Sequence, residues 1–94
     1  FVVDEERHQI RYQGVSLTLS RYEYGILCLL VRRPGVVFSR DELMEQAWDE
    51  PGVSDPRTVD THIKTIRQKL KAVRPDPDPI VTRVGVGYAL REDW

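Results

Sequence analysis

The residues with the chemistry to bind something are concentrated between Arg57 and Arg74, in the run RTVDTHIKTIRQKLKAVR. This run holds six Lys/Arg against one Asp, whereas the remainder of the chain holds eight against fourteen. A net charge of −1 for all 94 residues therefore hides a cationic segment on an acidic body. Val59, Ile63, Ile66, Leu70 and Val73 recur at helical spacing, so one stripe of the segment is apolar and must face a core. The opposite face carries Arg57, Thr61, Lys64, Thr65 and Gln68, cationic and hydrogen-bonding, with no carboxylate among them. Such a helix fits the major groove of duplex DNA, where base edges can be read and phosphates held. A solvated amphipathic helix shows the same pattern, so the helix alone leaves both readings open.

Other chemistries find little support. His8 and His62 are the only histidines and belong to no metal-ligand or triad spacing, and the carboxylates are scattered. No enzyme activity, cofactor or metal is expected. Cys28 sits in the apolar run from Ile26 to Val31 and reads as core filler; a single cysteine permits no internal disulfide, in keeping with a reducing cytoplasm. No run approaches the length of a membrane span, and no signal peptide opens the chain. The length suits one domain, spanning residues 1–94, with a single core. The start at Phe1, without a methionine, suggests a piece of a longer protein.

The elements that position the cationic helix follow from pattern and punctuation. His8 to Tyr12 and Val15 to Leu19 alternate apolar and polar residues around Gln13-Gly14, a hairpin, and Phe1-Val2-Val3 reads as a further strand. Ser20-Arg21-Tyr22-Glu23 and Ser39-Arg40-Asp41-Glu42 are two capping boxes, stapled by Leu19 with Tyr24 and by Phe38 with Leu43. The first helix should stop near Arg33, before Pro34-Gly35, and the second near Trp48. After an acidic loop, Asp55 can cap the third helix with Pro56 at its first position; the helix ends before Pro75. Ile80 to Arg83 and Tyr88 to Leu90 read as two strands joined through Val84-Gly85-Val86-Gly87. The predicted fold is α+β, a winged helix-turn-helix with an N-terminal antiparallel sheet, three helices and a C-terminal β-hairpin wing.

Specific strings sharpen this. Arg57 to Lys64 continued by Ile66 to Leu70, Thr18 to Tyr24, Phe38 to Leu43, Trp48, and Gly85-Val86-Gly87-Tyr88 together resemble the DNA-binding domain of OmpR/PhoB-type response regulators. The resemblance covers nearly the whole chain, and the run from Arg57 to Ile80 looks closest to the CreB subgroup. It implies sequence-specific binding of double-stranded DNA by the output domain of a two-component regulator of transcription, following a receiver domain absent from this chain. It also implies four strands ahead of the first helix, a sensor kinase acting through the receiver, and contact of the loop 49–56 with RNA polymerase. Dimers on direct-repeat half-sites are expected, because one small domain buries a modest interface.

The resemblance and the chemistry nominate individual contacts. Arg57 matches a phosphate-binding position, and the alternative is a surface arginine pairing with Asp60 or Asp55. Thr58 stands beside it at the helix start. Thr61 and Thr65, one turn apart, could each meet a base edge or serve as exposed polar filler. At the Thr65 position family members often carry arginine. Lys64, Arg67 and Lys71 recur on one flank suited to phosphates, with Lys69 bordering the other. Asp60 is placed to pair with Lys64 four residues on. His62, about sixty degrees from the centre of the buried stripe, is a half-buried structural imidazole or, by resemblance, a phosphate contact. The indole of Trp48 is likewise core or a phosphate donor. In the wing, Thr82 and Arg83 are the candidates, but the family's minor-groove arginine position is held by Val84. The rival of another class is a winged-helix module whose cationic face meets an acidic protein partner.

Overall fold

The computed structural model describes residues 1–47 and 57–92. Three strands, β1 (Val2–Asp4), β2 (Gln9–Tyr12) and β3 (Val15–Ser16), form an antiparallel sheet in chain order. The resemblance implied four. Register pairs Val3 with Ile10 and Tyr12 with Val15, and the β2–β3 turn places Gln13 (φ 52) and Gly14 (φ 77) in the left-handed region that a two-residue hairpin requires. Along β2, Ile10 and Tyr12 are fully buried while Gln9 and Arg11 face solvent, so one face of the sheet covers the helices.

Helices α1 (Arg21–Arg32), α2 (Arg40–Ala47) and α3 (Arg57–Val73) follow. Both capping boxes form. The Glu23 amide donates to Ser20 Oγ (3.3 Å) while the Ser20 amide donates to Glu23 Oε1 (2.9 Å). Glu42 and Ser39 repeat the exchange at 3.1 and 3.0 Å. Their paired donors would otherwise be orphaned at the helix starts. Trp48, the loop 49–56 and the Asp55-Pro56 cap lie outside the described residues.

The core gathers Ile26, Leu27 and Leu30 of α1, Leu43 and Met44 of α2, and Val59, Ile63, Ile66 and Leu70 of α3 around Ile10, Tyr12 and Phe38. Cys28 belongs to it, and burial pushes its thiol pKa up, as suits an inert packing residue. Strands β4 (Ile80–Arg83) and β5 (Gly87–Leu90) make the wing, with Thr82 opposite Tyr88 and Arg83 opposite Gly87. β5 is tied to the α1–α2 connection by paired bonds between Phe38 and Tyr88 (2.8 and 2.9 Å) and by the Gly35 amide donating to the Leu90 carbonyl (2.8 Å). A Cβ at Gly87 would collide with the Phe38 carbonyl, so only glycine lets these two backbones meet.

Candidate nucleic-acid interface

Helix α3 has four sides, and each follows from its position in the helical repeat. The buried side is Val59, Ile63, Ile66 and Leu70. The outward side is Arg57, Thr61, Lys64, Gln68 and Lys71, all exposed. This stripe spans the helix with three cations and no carboxylate. The two flanks are half-buried and carry the polar residues that touch the rest of the domain.

One flank, with Thr58, His62, Thr65 and Lys69, turns toward α1. His62 lies against Tyr22, with ring centroids 5.8 Å apart and planes inclined by 50°, which fits the half-buried imidazole. The Thr65 hydroxyl donates to the Thr61 carbonyl (3.2 Å), and the residue is half-buried on this flank rather than on the outward face where its spacing puts it. Lys69, nominated from sequence as a DNA contact, has its ammonium bound to the Glu23 carboxylate, at 2.6 Å to Oε1 and 3.3 Å to Oε2. Glu23 is 3% exposed, the one buried charged residue among the described residues. Burial raises the pKa of that carboxyl, but the bonds from Lys69 and from the Ser20 amide outweigh it, and the net shift is downward. A buried carboxylate held this way recruits Lys69 inward.

The other flank, with Asp60 and Arg67, turns toward the wing. Asp60 accepts from the Tyr88 hydroxyl on Oδ1 and from Arg40 Nη1 (3.1 Å) on Oδ2. Its partners thus come from β5 and α2 rather than from Lys64 one turn along. Arg67, also nominated from sequence as a phosphate contact, is engaged within the domain. Its Nη2 donates to the Ile80 carbonyl (3.0 Å) and to Thr82 Oγ1 (2.7 Å), and its Nε stands 3.0 Å from the Asp78 carboxylate. The guanidinium fastens α3 to the wing. Thr82 keeps its own O–H to donate. Burial, followed by the bond to Asp60, pushes the Tyr88 phenol up to about 12, so it stays a donor across the working pH range.

Between α3 and the wing lies a cleft of about 250 Å³ lined by Arg40, Asp60, Thr82, Arg83 and Tyr88. Arg83 is exposed at its edge, and Val84, at the tip, is 93% exposed. Arg57 and Lys64 stand on the outward face as anticipated, and Thr58 on the half-buried flank. Asp60, Arg40, Glu23 and Tyr88 were not nominated from sequence. Glu23 is legible in the sequence as a capping-box carboxylate, but its partner Lys69 is 46 residues away.

Among the described residues no group of His, Cys, Asp and Glu could hold a metal ion, and no helix is long and apolar enough to cross a membrane. The family model described as "Transcriptional regulatory protein, C terminal" matches residues 14–90. The chain is 46% identical over 91 residues to the transcriptional regulatory protein CreB of Escherichia coli K12, covering 97% of this chain and 40% of CreB. This agrees with the subgroup that the run from Arg57 resembles. In structure it is similar to the response regulator AdeR DNA-binding domain, solved in complex with an intercistronic region (TM-score 0.82, 29% identity, covering 96% of this chain and 92% of that one). It is similar also to the response regulator DrrB, a Thermotoga maritima OmpR/PhoB homologue (TM-score 0.76, 34% identity, covering 95% of this chain and 40% of DrrB). The chain thus spans less than half the length of CreB and of DrrB. It belongs to the OmpR/PhoB-type C-terminal domains of transcriptional regulatory proteins, the DNA-binding output domains of two-component response regulators.

Proposed function

We propose that this domain binds duplex DNA sequence-specifically by laying α3 in the major groove, with Thr61 and Thr65 toward base edges. Arg57, Thr58, His62 and Lys64 hold phosphates, together with Trp48, and the wing adds Thr82 and Arg83 at the neighbouring backbone. The observation that carries this is the exposed stripe of α3: three cations and two hydrogen-bonding side chains in register, with no carboxylate. A protein-docking surface would need a buried aromatic anchor, and the stripe contains none.

In the whole protein two copies occupy direct-repeat half-sites, dimerisation comes mainly from a preceding receiver domain, and a sensor kinase acts on that receiver. The loop 49–56 meets RNA polymerase, and the regulator works in the cytoplasm. The test is selection of binding sites from random duplexes, followed by titration of the chain and its Lys64→Ala variant at several salt concentrations. The variant should weaken all duplexes alike and lower the salt slope by about one, the signature of one lost phosphate contact. No enrichment of any sequence, or an unchanged slope with unchanged affinity, refutes the assignment.

A further inference from the structure

We propose that Asp60 and Arg67 act as positioning residues, latching the wing to α3 through Tyr88 and Thr82 and so fixing where the wing tip meets DNA. This rests on the DNA-binding reading above and adds to it a device that joins the two reading elements. The two side chains are seven residues apart and share one side of α3. Asp60 takes the hydroxyl of Tyr88 on β5, and Arg67 takes Thr82 Oγ1 and the Ile80 carbonyl on β4. The Arg67 guanidinium also stands 5.9 Å from the Tyr88 ring centroid, so the phenol is held at its hydroxyl and at its face.

The need for a latch comes from how the wing is otherwise attached. The backbone bonds of Phe38 to Tyr88 and of Gly35 to Leu90 all fall along β5. With β4 anchored in the core at its base by Ile80 and its far end exposed, the hairpin can still roll about β5, and the roll carries Val84, Gly85 and Val86 toward or away from the groove that α3 occupies. The bonds of Arg67 to β4 lie off that axis and stop the roll, and the Tyr88–Asp60 bond stops it from the other strand. Directional hydrogen bonds in a partly dehydrated cleft select one orientation, which apolar packing alone does not. Arg40 on the second Asp60 oxygen neutralises a carboxylate that would otherwise repel nearby phosphates.

The test uses Tyr88→Phe, which removes one hydroxyl and keeps the ring, and Asp60→Asn, whose amide oxygen still accepts from Tyr88. The probes are a duplex selected with the unaltered chain and the same duplex shortened by about half a helical turn on the wing side, located by hydroxyl-radical footprinting. Shortening should weaken the unaltered chain and Asp60→Asn several-fold, and should barely affect Tyr88→Phe, whose wing no longer makes the flanking contacts. A Tyr88→Phe chain that keeps the full penalty overturns the latch. A second measurement needs no DNA: residual dipolar couplings of the Val84 to Val86 amides relative to α3. They should report one wing orientation in the unaltered chain and an averaged one in Tyr88→Phe, and in Asp60→Ala should the first variant fail to fold. Unchanged couplings overturn the proposal. Absence of DNA binding by the unaltered chain would instead overturn the functional reading, with the couplings still deciding the latch.

Discussion

Replacing Lys69 by methionine separates two roles that the sequence could not distinguish. Methionine keeps the length and apolar stem of lysine and removes only the ammonium, so packing along α3 is preserved. The Glu23 side chain is 5% exposed and would keep the Ser20 amide as a partner, but no counter-charge. Breaking a fully buried pair costs about 3–5 kcal/mol, and because the Lys69 side chain is 34% exposed the expected loss is smaller, about 2 kcal/mol. In a domain of this size that is a fall of about 10 °C in melting temperature.

The pH dependence carries a sign. In the unaltered chain the Glu23 pKa is lowered from 4.5, so the stability it contributes is present above the unfolded value and is lost as pH falls through the folded one. Without Lys69, burial is opposed only by the Ser20 bonds, and the pKa rises relative to the unaltered chain. The stability that the ionised carboxylate contributes near neutrality falls accordingly. Urea unfolding of the two chains should therefore differ most near neutral pH and converge as pH falls through the lowered Glu23 pKa of the unaltered chain. DNA titration should show an unaltered salt slope, since Lys69 is already neutralised within the domain. A slope reduced by about one with stability unchanged would mean that Lys69 holds a phosphate rather than the Glu23 carboxylate.

Two further substitutions test the wing. Gly87→Ala should destabilise the domain by about 3 kcal/mol, because the new Cβ meets backbone and must break the Phe38–Tyr88 pairing; a melting temperature within about 2 °C of the unaltered chain would contradict this. Val84→Arg should leave stability unchanged, since residue 84 is 93% exposed, and should raise affinity for sites flanked by a narrow A/T-rich minor groove. Thermal melting and DNA titration on that one variant check both halves, and a stable chain without an affinity gain contradicts the second.

What could be read from the sequence was whatever depends on local order. Alternation in β2, the serine–glutamate boxes at residues 20–23 and 39–42, and the proline after Arg74 set most element boundaries to within a few residues. The apolar stripe of α3 likewise predicted its buried side, Val59, Ile63, Ile66 and Leu70, with Val73 half-buried at its end. The flanks were not legible. Spacing shows which residues share a flank, but what lies against that flank is set by the tertiary fold. Asp60 was expected to pair four residues along the helix and instead reaches Tyr88, 28 residues away, and Arg40, 20 residues away. Lys69 was sorted with the DNA face because its partner, Glu23, lies in another helix and reads locally as a capping residue.

These pairings change what the cationic helix can do. Of the six cations counted between Arg57 and Arg74, Arg67 and Lys69 are turned to Asp78 and Glu23. Each neutralised phosphate contributes about 0.9 to the salt slope, so two fewer cations lower the slope expected of α3 by about two. On the proposed mode of binding, the non-specific attraction of a single domain is correspondingly weaker than the sequence count implies, and discrimination falls more heavily on Thr61, Thr65 and the wing. A wing contributes reliably only if its position relative to α3 is fixed. The same inward turn that withdraws Arg67 from the phosphates provides that fixation, trading non-specific attraction for defined geometry. Binding of this kind gains most from a second copy on an adjacent half-site, where moderate but well-oriented contacts combine through effective concentration.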